Sequence, residues 1–309
     1  MSLNNKAIFV IGPTASGKTD LSIALAKKFR GEIISADSMQ IYKGIHIASA
    51  APDEEEKQGI PHHLIEFLEL DSQFSVADYV IEARRIISEI LNRGNLPIIV
   101  GGTGLYISSL VDNVTFTDQK TDEDLRKRLE TEFDLVGAEE MLRRLAEFDP
   151  ESAARLHPSD KRRIVRCFEI FETTGNTITH QNEISKIKKC DFEPLIIGIT
   201  YKDREKLYDR INLRVDKMLK SGLVEEAKKT FAFADAKGAF QAIGHKELYG
   251  YFKNECSLDE ATELLKQQTR RYAKRQLTWF RRDQRIKWIY ADESCNVADE
   301  AIKLVKEFI

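Results

Sequence analysis

Cysteine is scarce in this 309-residue chain. Its four copies, Cys167, Cys190, Cys256 and Cys295, lie far apart with no Cys-x-x-Cys pair. Neither a zinc ribbon nor a disulfide framework is indicated, and a reducing, cytosolic setting is expected. Long apolar runs are missing too: none approaches the roughly 20 residues of a membrane span. The N-terminus lacks the basic, apolar, small-residue succession of a secretory signal. A cytoplasmic protein with no membrane partner is therefore expected. There is no internal repeat and no low-complexity tract. A large charge imbalance is also absent, since 47 Lys and Arg nearly offset 50 Asp and Glu, leaving a net charge of −3. Global charge gives no reason to expect nucleic acid.

The distribution of charge does. Residues 270–287 run Arg-Arg-Tyr-Ala-Lys-Arg-Gln-Leu-Thr-Trp-Phe-Arg-Arg-Asp-Gln-Arg-Ile-Lys, with Asp283 the only acid. Lys161, Arg162, Arg163 and Arg166 form a second basic knot, while acids collect elsewhere, as at residues 53–56. Charge so segregated implies a basic face on a near-neutral body. Within the longer stretch, Lys274, Arg275, Gln276, Thr278, Trp279, Phe280 and Arg281 interleave donors with aromatic rings. That mixture serves phosphate contact and base stacking together, which favours nucleic acid over a merely solvated face.

Residues 12–19 read Gly-Pro-Thr-Ala-Ser-Gly-Lys-Thr, the spacing of a phosphate-cradling loop. An apolar run at 7–11 precedes them and a helical pattern at 20–29 follows. A buried strand would end there, small residues would let backbone N–H groups converge, and a helix N-terminus would face an anion. Lys18 would neutralise terminal phosphates, and Thr19 would offer its hydroxyl to Mg2+.

Around this loop the first hundred residues alternate strand and helix. Strands are expected at 7–11, 32–36, 64–67 and 96–100, with helices at 19–29, 75–93 and 105–110. From 115 to 189 strand signals vanish, and charged amphipathic helices are expected at 123–133, 137–148, 151–156 and 160–173. A strand at 194–201 returns to the sheet. Helices follow at 204–220, 223–234 and 258–281, then a strand at 285–290 and a helix at 297–308. The expectation is an α/β fold, a P-loop NTPase-like parallel sheet flanked by helices. Its core spans 1–114 and 190–309, with an all-helical domain inserted at 115–189.

Asp37 closes the second strand and should face the phosphate loop, since ligands gather at the carboxyl ends of parallel strands. It could hold magnesium through water, act as a general base, or simply cap a helix. Gly101-Gly102-Thr103-Gly104 follows the next strand and would join the same site. Arg204, Arg210 and Arg214 share one helix; each is a diphosphate clamp or a solvated side chain. His62-His63 has no third ligand at metal spacing and reads as structural. Competing classes remain: a P-loop small-molecule kinase with a helical lid, a transferase acting on free nucleotides, and a non-catalytic nucleic-acid-binding protein.

Seven segments together resemble one family, the bacterial tRNA dimethylallyltransferases, also called tRNA isopentenyltransferases. They are residues 12–19, Ser-Ala-Asp-Ser-Met-Gln-Ile-Tyr at 35–42, Pro-His-His-Leu at 61–64, and Gly-Gly-Thr-Gly-Leu-Tyr at 101–106. The others are Arg-Arg-Ile-Val-Arg at 162–166, Gln-Ala-Ile-Gly-His-Lys-Glu at 241–247 and Lys-Arg-Gln-Leu-Thr-Trp-Phe-Arg at 274–281. The resemblance runs nearly end to end. It implies transfer of a dimethylallyl group from dimethylallyl diphosphate to N6 of the adenosine immediately 3′ of a tRNA anticodon, with no ATP hydrolysis.

By matching positions, Asp37 would take the amine proton and Thr103 would assist at the adenine amine. Gly12, Thr14, Ala15, Ser16, Gly17, Lys18, Thr19 and Arg214 would bind the diphosphate, with Mg2+ as cofactor at Thr19. The anticodon stem-loop would meet Asp37, Ser38, Met39 and Gln40, then Arg162, Arg163 and Arg166, then Gln241, Gly244, His245 and Lys246. Lys274, Arg275, Gln276, Thr278, Trp279 and Arg281 would complete that surface on a monomeric enzyme. Two departures stand out. Residues 48–52, Ala-Ser-Ala-Ala-Pro, lack the lysine usual before this proline, and His245 stands where tyrosine is common.

Overall fold

The computed structural model describes residues 5–114, 122–185, 190–231, 240 and 242–309. Six strands form one parallel sheet: β1 (Lys6–Ile11), β2 (Gly31–Ser35), β3 (His62–His63), β4 (Leu96–Gly101), β5 (Glu193–Thr200) and β6 (Lys287–Tyr290). They lie in the order β3-β2-β4-β1-β5-β6. β1 is central, with Phe9 in register with Ile99 of β4 and Ile196 of β5. Its residues Ala7, Ile8, Phe9, Val10 and Ile11 are wholly buried. Helices cover both faces of a parallel sheet, which is why β1 reads as an unbroken apolar run rather than an alternating one. On one face Ile8, Val10, Ile33, Ile98, Ile197 and Ile199 pack with Leu21, Leu25 and Val305.

The expected strand at 64–67 does not form. Leu64 and Glu66 have φ of 58° and 48°, the left-handed region that no strand can contain. In this region the pairing with β2 is confined to His62–His63. Nor is β2 apolar throughout, because Glu32 is buried within it. Arg93 grips this carboxylate with two hydrogen bonds, and Asn95 and His63 add one each. Burial alone would raise its pKa, but the hydrogen bonds from Arg93, Asn95 and His63 bring it down to about 2. His63 is thus committed to a carboxylate. Among the described residues no group of three or more His, Cys, Asp or Glu is placed to hold a metal.

The chain divides into two compact units, one of Met1–Val111 with Asp191–Ile309 and one of Asp112–Cys190. The second holds helices Glu123–Val136, Ala138–Phe148, Pro150–Arg155, Lys161–Thr174 and Ile178–Ser185. Leu129, Phe133, Met141, Leu145, Ile164 and Phe168 make its core. Asp149 ties it together: its side chain caps Pro150–Arg155 through Ser152 N and accepts from the Thr179 hydroxyl at 2.6 Å. Among the described residues no helix is long and apolar enough to cross a membrane.

Candidate active site

Leaving β1, the chain passes so close to β5 that a Cβ on Gly12 would lie 2.2 Å from the Ile199 carbonyl oxygen. Only glycine fits that approach. Ala15 and Gly17 then take left-handed φ of 62° and 98°, which closes a tight loop. Helix Lys18–Phe29 follows with no side chain capping its first turn. Its leading N–H groups and positive dipole end are therefore available to an anion. Ser16 is buried, and its hydroxyl has no partner. A buried hydroxyl left unpaired is unfavourable, and an oxygen-rich ligand would satisfy it.

Two cations join the loop. Lys18 donates to the Pro13 carbonyl at 2.7 Å. Burial and nearby Arg214 push its pKa down to about 7, with Asp37 opposing. Arg214 is also lowered by burial and supported by Asp37. A pair of desolvated cations raises local affinity for a polyanion.

Asp37 emerges from the end of β2, and its Oδ1 accepts from Met39 N at 2.9 Å. Thr103 lies alongside: its N–H donates to the Ala36 carbonyl, and its hydroxyl accepts from Ser38 N at 3.0 Å. A Cβ on Gly101 would lie 2.2 Å from the Ala36 oxygen, so glycine is required for the two strand ends to meet. Thr103 stands behind Ser38 rather than lining the cavity.

That cavity, about 330 Å³, lies within the first unit. Thr14, Lys18, Thr19, Asp37 and Arg214 line its polar side, while Ile33, Ile65, Val100, Val215, Met218 and Leu265 line an apolar side. Thr269, Tyr272 and Gln276 come from one face of helix Leu258–Phe280. The sequence reading missed Tyr272, although its spacing from Gln276 marks it as sharing that face. Burial keeps the Tyr272 phenol pKa well above its usual value, and its hydroxyl also reaches Thr103 and Gln276.

A family profile described as IPP transferase matches residues 40–283. The chain belongs to that family. It is 49% identical over 291 residues to a tRNA dimethylallyltransferase of Acetivibrio thermocellus, covering 94% of this chain and 93% of that one. The corresponding Bacillus subtilis protein is 48% identical over 283 residues, covering 91% and 89%. Among solved structures, the full-length tRNA isopentenylpyrophosphate transferase of Bacillus halodurans is 40% identical. It superimposes with a TM-score of 0.71 over 98% of this chain and 95% of that one. A eukaryotic dimethylallyltransferase acting on tRNA is 31% identical, with a TM-score of 0.84 over 98% and 79%. The matched family is one of prenyl transferases, and nothing favours the kinase reading.

In this IPP transferase the residues matched to RNA contact fall into two groups. Lys274, Arg275, Thr278, Trp279 and Arg281 are exposed along and just beyond helix Leu258–Phe280. Trp279 lies over Gly104, where a Cβ would come within 2.4 Å of its ring. Ser38, Met39 and Lys246 line the cavity, and Gly244 packs beside Ala48 of its wall. Arg162 is exposed in the second unit, Arg163 lies 3.6 Å from Asp160, and Arg166 pairs with buried Glu169 at 3.1 Å.

The other group is committed inward. Gln40 accepts from the Ser35 hydroxyl and donates to the Ala50 carbonyl. Gln276 is only 6% exposed; its oxygen accepts from Thr14 N at 2.9 Å and its nitrogen donates to the Gly102 carbonyl at 3.0 Å. The His245 side chain is wholly buried. Its two ring nitrogens meet Glu226 and the Thr230 hydroxyl, each at 2.9 Å. Glu226 in turn accepts from the N–H groups of Ile47 and Ala48. His245 thus helps support the segment that contributes Ala48, Ser49, Ala50 and Pro52 to the cavity wall. Gln241 lies outside the described residues.

Proposed function

We propose that this protein transfers a dimethylallyl group from dimethylallyl diphosphate to N6 of the adenosine immediately 3′ of a tRNA anticodon, releasing diphosphate. One observation carries the reading: a cationic phosphate cradle opens directly onto an apolar wall within one cavity. Ile33, Val215, Met218 and Leu265 beside the phosphates suit a branched five-carbon chain.

The roles follow from position. Gly12, Thr14, Ala15, Ser16 and Gly17 present the loop backbone to the diphosphate, with the Ser16 hydroxyl as a further donor. Lys18 and Arg214 stabilise the charge that gathers on the leaving group as the C1–O bond breaks. The adenine amine attacks C1, a weak nucleophile because its lone pair is delocalised into the ring. Asp37 takes the N6 proton as the N6–C1 bond forms. Thr103 fixes the Ser38 turn beside Asp37 and supports the amine through it.

Thr19 offers its hydroxyl on the polar side of the cavity, a hard oxygen donor of the kind Mg2+ takes. Protein ligands this few suit an ion completed by phosphate oxygens and water. Bound there, Mg2+ would neutralise diphosphate charge. The target base must leave its stack to enter the cavity, and a grip on the anticodon arm makes that possible. Lys246, Lys274, Arg275, Thr278, Trp279 and Arg281 supply that grip.

The test is incubation with dimethylallyl diphosphate, Mg2+ and unmodified tRNA, followed by mass analysis of the digested nucleosides. One adenosine per accepted tRNA should gain a dimethylallyl unit, and ATP should not substitute for the prenyl donor. Phosphoryl transfer from ATP with no prenylation would overturn the proposal. For the RNA surface, Lys274→Ala and Arg275→Ala should each lower the slope of log K against log salt by about one phosphate contact. An unchanged slope in a binding titration would remove those residues from the surface.

A further inference from the structure

Two side chains from different helices hold the consecutive loop residues Thr14 and Ala15. Gln276 accepts from Thr14 N and anchors its other end on the Gly102 carbonyl. Arg210, on helix Arg204–Lys220, donates from Nε to the Ala15 carbonyl at 3.0 Å. Its guanidinium lies over the Tyr201 ring, 5.6 Å from the centroid. Tyr201 and Ala15 pack against the same apolar cluster, built on Leu207, Ile211 and Ala273. Arg210 itself is exposed and does not line the cavity.

Ala15 is the reason such bracing matters. Its φ of 62° is a conformation that residues with a Cβ avoid, and it persists only where surrounding contacts impose it. The turn at Ala15 also sets where the next three N–H groups, those of Ser16, Gly17 and Lys18, are aimed. If the Thr14–Ala15 peptide relaxed toward an ordinary conformation, those donors would swing away from a common focus.

We infer that Arg210 and Gln276 are positioning residues that brace the Thr14–Ala15 segment and so keep the diphosphate cradle in its anion-binding shape. The inference rests on the transferase reading above. It separates Arg210 from Arg214: the same helix supplies one cation to the cavity and another to the back of the loop. It also gives Gln276 a task other than RNA contact, since both ends of its amide are already engaged.

The full chain is titrated with inorganic pyrophosphate and Mg2+ in a calorimeter, and KM is measured separately for dimethylallyl diphosphate and tRNA. Arg210→Ala should weaken pyrophosphate binding and raise the KM for dimethylallyl diphosphate by about tenfold, the loss of one charge-assisted hydrogen bond to the loop. The tRNA KM, its salt dependence and the melting temperature should not move. Arg210→Lys should recover part of the loss, because an ammonium can reach the same carbonyl. Gln276→Met, which fills similar volume without donors or acceptors, should act in the same direction. Unchanged pyrophosphate affinity in Arg210→Ala overturns the inference. So does a raised tRNA KM with a reduced salt slope, which would make Arg210 an RNA contact. A wild-type protein that binds no pyrophosphate would instead overturn the transferase reading, and this inference with it.

Discussion

Asp37→Asn should slow prenyl transfer by about 10²–10⁴-fold, the usual worth of a positioned general base, while tRNA affinity holds. The substitution is conservative in shape. An asparagine oxygen still accepts from Met39 N, so the turn that carries Ser38 and Met39 keeps its form. What disappears is the ability to take a proton. The adenine amine becomes acidic only as its bond to C1 develops, so the loss falls on the chemical step rather than on binding. Single-turnover rates with saturating tRNA, together with a filter-binding measurement, separate the two. If extra Mg2+ restored the asparagine variant, Asp37 would be a metal ligand instead. Full turnover without any such rescue would end its assignment altogether.

Lys18→Met should lower activity and raise stability together. Removing a cation from a cradle that stabilises developing charge should cost on the order of 10²–10³ in kcat. The empty site bears the opposite penalty. Burial and Arg214 hold the Lys18 pKa near 7, against an ordinary 10.5, so its charged form is disfavoured in the fold. Between those two values the unfolded chain binds the proton that the folded one has released, and wild-type stability rises with pH across that window. The burden is greatest at and below pH 7 and fades toward 10.5. Methionine carries none of it. Melting curves should therefore place Lys18→Met above the wild type at neutral pH, with the gap shrinking as pH rises. A variant that is both inactive and less stable would mean that Lys18 holds the loop together rather than serving its ligand.

The cradle was legible because its parts are local. An apolar run, a glycine-bounded turn and a helix follow one another within a single stretch, and each piece must be there for the loop to work. Asp37 was legible for a related reason, since a carboxylate at the end of a buried strand in a parallel sheet lies at the ligand edge. The apolar wall was not. Ile33, Val215 and Leu265 come from three separated elements, and each looks like ordinary core in its own helix or strand. Only their convergence around one space makes them a cavity wall.

Gln276 and His245 show the converse. Both sit among residues that a charge pattern or a family match assigns to RNA, yet helical spacing turns the first inward and burial removes the second from solvent. Glu32 was hidden because its partners, His63, Arg93 and Asn95, arrive from distant segments. The expected strand at 64–67 failed on backbone sterics that composition does not report, since two of its residues adopt left-handed φ.

The most direct measurement is a crystal structure with a non-hydrolysable dimethylallyl diphosphate analogue and an anticodon stem-loop. The phosphorus atoms should rest on the loop at residues 12–19 between Lys18 and Arg214. The five-carbon chain should lie along Val215, Met218 and Leu265, and a flipped adenine should present N6 to Asp37. An analogue bound elsewhere, or one seated in the loop with its carbon chain facing solvent, would contradict the account.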